Sequence, residues 1–544
     1  MNTRQLQTDK NQKLYHALLG ILLVCALAMM MLLSYWACKY SYYGAVDGRT
    51  RGVLVGDKTW AHIAVFFAAS LCTMGIDKVL MKKDKSQQEK ICLCTLIVTS
   101  VIAFILGVFY VCKNPYYPVG DQINTTAFAA YCRDGNFSML SIGGYVGMYQ
   151  QQKGLAILYE ILFTLFGDFN YRPAKILHVV WWILTILAGY GFLKLNTDRP
   201  VFRMLYCVMM LGCFPLLFYL PYIYGDVLSI SFGIILFYGV AAYEHSGQKR
   251  YIALASFAAG LAVLARKNTW IVLVAVAVYV LLVSLRKKKI RYLMAGTAIL
   301  LTAALSVKAV DVIYEVRSGY PSGVGVPSIL WVAMGLQETE GRAGVYNRYQ
   351  QATFTDYDCQ QELAAQQGKE YIRERLEEFS QDPGMAFDFF KNKLEGQWIE
   401  PMYAALESTE SFEEGAELSP VLESLYYGEL GRTIWKLTNY YQSILYLAGL
   451  MALVMLGILW WKKKEVPISL WLPWIAVFGG FLFSILWEAK SRYVFPYCVF
   501  MILYAPEGLY QTGLLLCKLP KLRKFKKSGH TQDKGEEASL RETA

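Results

Sequence analysis

A chain of 544 residues that is 55% hydrophobic and only 17% charged, with 39 Tyr, 28 Phe and 13 Trp, carries too little charge for a soluble protein of its size. Its net charge of +11 is unevenly divided: residues 315–436 hold 21 Asp and Glu against 10 Lys and Arg, so the remainder carries the whole positive excess. That excess reads as membrane topology and attraction to anionic lipid, and it gives no reason to expect a nucleic acid partner.

Apolar runs of spanning length occur near 17–38, 60–81, 91–112, 173–193, 201–221, 226–243, 251–265, 269–285, 291–312, 441–461, 467–487 and 493–516. A further run at 154–166 is short for a crossing. The chain is therefore expected to be an all-α, polytopic transmembrane protein of about 12–13 spans with a helical exterior insertion. It divides into a cytoplasmic segment with an accessory hairpin (1–90), a transmembrane module read as catalytic (91–313) that contains a first exterior loop (113–153), the exterior insertion (314–440), C-terminal spans (441–517) and a basic cytoplasmic tail (518–544). The polar start, Met1 to Leu14, precedes a first span without a small-residue cleavage site and reads as a signal anchor.

Lys and Arg near helix ends stay cytoplasmic, which places Lys82, Lys83 and Lys85, the run Arg286 to Lys289, the run Lys462 to Lys464 and the tail inside. Counting outward puts the Asp121 loop, the Tyr222–Asp226 turn, the Arg266–Asn268 turn, the insertion and the Glu488–Arg492 turn on the exterior. Asp121 and Asp226 share that face only if an even number of crossings separates them, yet three apolar runs lie between. Either 154–166 does not fully cross or the segment 137–152 dips into the membrane and returns.

In chain order, the first polar feature is Cys112 to Asn124, where Pro115, Pro118 and Gly120 stop the preceding span at the membrane face and present Asp121 there. Residues 124–133 have apolar positions at roughly helical spacing and read as a helix lying on the membrane surface. A second carboxylate, Asp226, follows the Pro- and Tyr-rich segment 214–225. Its bland role is to cap the helix that starts there. Arg266, Lys267 and Asn268 are pinned between two spans where the positive-inside tendency would not put cations, so an anion must meet them, either a lipid phosphate or a structural acid such as Asp226.

Within the insertion, 321–337 reads as a surface or re-entrant helix and 358–379 as an amphipathic helix. Asp382-Pro383 restarts a helix running to Trp398. The last exterior turn holds Glu488, Lys490 and Arg492. Of the 12 cysteines, only Cys132 and Cys359 fall in large exterior loops, where a disulfide between them is allowed.

Two exterior carboxylates, two Arg-bearing turns and many aromatics at one face suit a reaction between a membrane-anchored, phosphate-linked donor and an acceptor arriving from outside. Asp121 and Asp226 are the candidate catalytic residues, with Asp121 the base for an acceptor hydroxyl. Arg266, Lys267, Lys490 and Arg492 would hold the donor phosphate, a leaving group that needs cations rather than an acid. Tyr117, Tyr222, Tyr224 and Asn268 would contact sugar. The alternatives are a polysaccharide polymerase or ligase, and a transporter or flippase for lipid-linked sugar. A transporter predicts mid-span charges and repeated broken helices, which the sequence does not display.

The order of Gly120-Asp121-Gln122, Phe166-Gly167 with Arg172, Tyr224-Gly225-Asp226 and Ser491-Arg492-Tyr493 with Pro496 resembles that of the C-type glycosyltransferases, in particular the glycosyltransferase family 39-like branch of protein O-mannosyltransferases and aminoarabinose transferases. The chain has Gln122 where that family usually has a second acid, and two additional N-terminal spans. The resemblance implies a multi-pass enzyme of the cell membrane with its active site on the exterior face. Its donor would be a polyprenyl-phosphate sugar and its acceptor a cell-envelope glycan, lipid or protein. It implies no certain cofactor and leaves room for a divalent metal.

Overall fold

The computed structural model describes residues 3–44, 52–322, 325–464 and 466–518, with side chains from residue 11. Among the described residues nine helices are long and apolar enough to cross a membrane: Asn11–Lys39, Thr59–Leu80, Lys85–Lys113, Arg172–Asn196, Asp226–Ser246, Lys267–Lys287, Ile290–Ser318, Glu429–Trp461 and Ile468–Leu486. The protein is an all-α, multi-pass membrane protein, and among the described residues the strands form two short hairpins, Tyr40–Tyr43 with Val53–Gly56 and Glu338–Thr339 with Arg342–Ala343.

Three expected spans take a different form. The run 251–265 forms the 17-residue helix Lys249–Ala265. The run 201–221 breaks into Pro200–Gly212 and Phe214–Phe218, because Pro215 sits in the first turn of the second piece and cannot extend the first. The run 493–516 breaks at 502–504, and Pro496 inside Ser491–Met501 cannot bond back to the Arg492 carbonyl.

Contacts between helix ends define the two ends of the bundle. At one, Arg199 reaches Asp77 at 2.8 Å, Ser469 donates to Asn196 at 3.3 Å and Lys287 pairs with Glu244 at 2.8 Å. The lysine-rich turns lie at this end. The other end gathers the Asp121 loop, the 222–226 and 265–270 turns, the segment 319–428 and the 487–490 turn.

The helix Lys153–Phe166 has both of its ends there. Lys153 pairs with Asp311 at 2.5 Å, and beyond its last turn Asp168 pairs with Arg133. Its 14 residues do not cross the bundle, which removes the parity conflict. Glu160 fixes it to the helix Ile290–Ser318 through Arg317 at 2.6 Å and Tyr314 at 3.1 Å.

The expected surface helix begins at Asp121 and runs to Arg133, burying Thr125, Thr126, Phe128, Ala129 and Cys132. It is packed into the protein rather than laid on its surface. Cys132 and Cys359 are both free thiols, so the disulfide does not form. The tail beyond Lys518 lies outside the described residues.

The insertion folds largely as expected. Its helices are Gln361–Gln381 and Pro383–Trp398, and the Asp382 carboxylate caps the second by accepting from the Met385 amide at 2.9 Å. The expected helix in 321–337 is shorter, Ser328–Gly335. The insertion is tied to the bundle where the Ala489 amide donates to the Gly344 carbonyl at 2.7 Å.

Lys393 lies close by, 1% exposed and donating to the Gly335 carbonyl. Burial pushes its ammonium down to about 7, against the opposing pull of Glu488. Between about 7 and the ordinary lysine value of about 10.4, the unfolded chain keeps a proton that the folded chain has released, so stability rises with pH across that window. The unfolding temperature of the detergent-solubilised protein is expected to rise between pH 7 and pH 9, and Lys393→Met to flatten that rise. An equal slope in both proteins contradicts the assignment.

Candidate functional site

The Asp121 loop is shaped by Gly120, whose φ of 58° and ψ of −123° are open to glycine alone, and by two prolines that keep the preceding segment extended. Side chains alternate along that segment. Tyr116 turns inward, buried, with its ring 6.1 Å from that of Tyr222. Tyr117 turns outward, edge-on to Tyr171, and its amide bonds to the Ser411 carbonyl at 2.8 Å. Of the two, Tyr117 is the ring accessible from outside. Asp121 is exposed at the first position of its helix, and its carboxylate accepts a hydrogen bond from the Tyr145 hydroxyl at 2.9 Å.

Asp226 is 2% exposed and opens the helix Asp226–Ser246 without capping it. Gly225 decides its setting: a Cβ there would come within 2.0 Å of the Ala265 carbonyl oxygen, so only glycine lets the 222–226 and 265–270 turns touch. That approach seats the Arg266 guanidinium on Asp226 in an ion pair. Arg492 approaches the same carboxylate oxygen at 3.9 Å and donates to the Tyr222 hydroxyl, which also accepts from Gln122 at 2.5 Å. Tyr224 accepts from Gln152 at 2.5 Å, and both guanidinium carbons lie 5.3 Å from its ring centroid.

Asp226 faces two arginines in a buried setting, and Glu488 lies within electrostatic reach of Arg492. Asp226 Oδ2 and Arg492 Nε have no hydrogen-bond partner among the described residues. Asp226 is held by the arginines and does not face an incoming acceptor, which corrects the expectation that it contributes to catalysis beside Asp121. The structural ion pair anticipated for Arg266 is present. It leaves Arg492 as the more distant partner of Asp226, at 3.9 Å.

The remaining candidates divide. Asn268 lines the pocket described below, Lys267 is exposed, and Lys490 lies 3.9 Å from Glu488. Among the described residues no group of three or more His, Cys, Asp or Glu is arranged to hold a metal. The donor set explains this: Gln122 bonds Tyr222 and Asp226 is taken by arginines, so these residues do not fit a divalent ion.

A narrow crevice opens beside the arginines. Its mouth carries Arg266, Asn268, Thr269 and Arg492, and Val272, Pro496, Tyr497 and Phe500 line it further along their helices. Sequence reading missed Glu488, which is 5% exposed and accepts from the Tyr493 hydroxyl at 3.3 Å. Burial raises its pKa, Lys490 and Arg492 oppose the shift, and Asp121 adds to it. Tyr145 and Gln152 were equally unmarked. Their only sequence signal is the Tyr/Gln richness of 145–152, which names no partner.

Comparison of the chain with protein-family models, with curated proteins and with solved structures finds no match in any of the three.

Proposed function

We propose that this protein is a membrane glycosyltransferase that moves a sugar from a polyprenyl-phosphate donor to an acceptor on the exterior face of the membrane. The observation that carries this reading is the buried Arg266–Asp226–Arg492 group at the mouth of a crevice with an apolar interior. A lipid phosphate matches it in both parts. Its anion meets Arg492, whose Nε has no hydrogen-bond partner among the described residues and whose fork suits phosphate oxygens, and its chain lies along Val272 and Phe500.

Asp121 supplies the second half of the reaction. As the acceptor oxygen bonds to the anomeric carbon, its proton passes to the Asp121 carboxylate. The bond from that carbon to the phosphate oxygen breaks, and the departing electron pair is stabilised by Arg266 and Arg492. The lysine-rich turns at the opposite end of the bundle support an exterior site. A polymerase or ligase would use the same arginines and would not depend on Asp121.

Native mass spectrometry of the full chain, purified from its own membrane, is expected to detect a bound polyprenyl-phosphate monosaccharide. Arg266→Ala/Arg492→Ala protein should lose it. Retention of the lipid by the double variant, or saturable binding of a lipid without phosphate in its place, sinks the reading.

A further inference from the structure

The mouth of the site has an outer part on which the donor reading makes no demand. Asp121 and Tyr145 form one side of it, and Tyr149 follows, its ring 5.1 Å from that of Tyr145. The insertion contributes Tyr346 and Gln350. Tyr149 and Tyr346 lie within electrostatic reach of each other, and Gln350 lies beside both. Gln350 is 1% exposed, yet its amide oxygen has no partner among the described residues. Burial raises the pKa of the Tyr346 phenol, Gln350 opposes this, and the carboxylates of Asp121 and Glu488 both push it further up. Tyr346 therefore lies within electrostatic reach of both acids, one from the first loop and one from the last turn. All three tyrosines are half-buried.

We infer that Asp121, Tyr145, Tyr149, Tyr346, Gln350 and Glu488 form an acceptor subsite whose ligand is a carbohydrate. This rests on the transferase reading above.

The chemistry of the group favours sugar over peptide or lipid. A saccharide presents hydroxyls that planar carboxylates and amides bind in pairs, and C–H faces that pack on aromatic rings. Two carboxylates, one amide with an idle oxygen and three half-buried tyrosines supply both. A peptide would need a run of free backbone partners, and the nearest strands, Glu338–Thr339 and Arg342–Ala343, are two residues long and paired with each other. A lipid acceptor would need an apolar slot, and the apolar crevice lies on the arginine side. The insertion has a definite task in this arrangement: it carries Tyr346 and Gln350 to the mouth, and the Ala489–Gly344 hydrogen bond fixes it beside Glu488.

The test uses the full-length protein in detergent, with ligand-observed NMR for weak binding. The probes are trimers of α-linked mannose, β-linked N-acetylglucosamine and β-linked galactose, a Ser/Thr-containing peptide, and polyprenyl phosphate. At least one trimer is expected to bind saturably. Tyr346→Ala and Gln350→Leu should each weaken that binding at least tenfold, with polyprenyl-phosphate binding and unfolding temperature unchanged, and Tyr346→Phe should have a smaller effect.

Polyprenyl phosphate bound with no trimer binding overturns the carbohydrate subsite and leaves the donor reading standing. Trimer binding that depends on Tyr346, with no polyprenyl phosphate bound, upholds the subsite and removes the donor. Saturable peptide binding that Tyr346→Ala abolishes overturns the ligand class, as does trimer binding that neither variant alters.

Discussion

Asp121→Asn is expected to lower turnover by about a hundredfold or more while leaving polyprenyl-phosphate binding nearly intact, since loss of a general base typically costs 10²–10⁴. The substitution keeps the shape of the side chain and its ability to accept from Tyr145, whose hydroxyl donates to the native carboxylate at 2.9 Å. What it removes is the capacity to take a proton. Exposure matters in the same direction: a carboxylate at the open first turn of its helix can be reached by an acceptor, whereas Asp226, 2% exposed and paired, cannot. The measurement is single-turnover transfer with saturating donor, alongside direct donor binding. Transfer within a few-fold of the native rate removes Asp121 as the base and moves the assignment to a polymerase or ligase that relies on the arginines alone.

Much of the architecture was legible because hydropathy and proline act locally. Nine of the expected apolar runs coincide with helices of spanning length or lie within them, and the helix restart at Asp382-Pro383 appears where expected. Asp121 was legible for the same reason, since Pro115, Pro118 and Gly120 all act within a few residues of it.

What was not legible depends on which turns meet. Arg492 contacts Tyr222 across 270 positions, and no local pattern encodes that pairing. Composition does not reveal that Tyr116, rather than Tyr117, turns inward from its extended segment. Glu488 looked like one more charge in an exterior turn until burial set it apart. The helix 154–166 was ambiguous by length alone, and its ion pairs with Ile290–Ser318 decide that both of its ends share one side.

The arginines carry the other large effect. Arg492→Ala and Arg266→Ala should each cost about 2–4 kcal/mol of transition-state stabilisation, roughly 30- to 900-fold in kcat/KM, if each donates to a departing phosphate oxygen in a water-poor setting. The two are not equivalent. Arg266 is the closer partner of Asp226, so Arg266→Ala leaves that buried carboxylate with only Arg492, which must then serve as counter-ion and is less free to meet the donor. Arg492→Ala leaves the Arg266–Asp226 pair intact and removes the more loosely paired arginine, so its effect should fall mainly on donor binding and turnover. Arg492→Lys keeps the charge and loses the planar fork that donates to Tyr222, which predicts an intermediate value. The comparison requires kcat/KM, polyprenyl-phosphate affinity and unfolding temperature for all three variants. If Arg266→Ala and Arg492→Ala both stay folded and transfer sugar within a few-fold of the native protein, the leaving phosphate is not held by this pair and the crevice beside it is not the donor site.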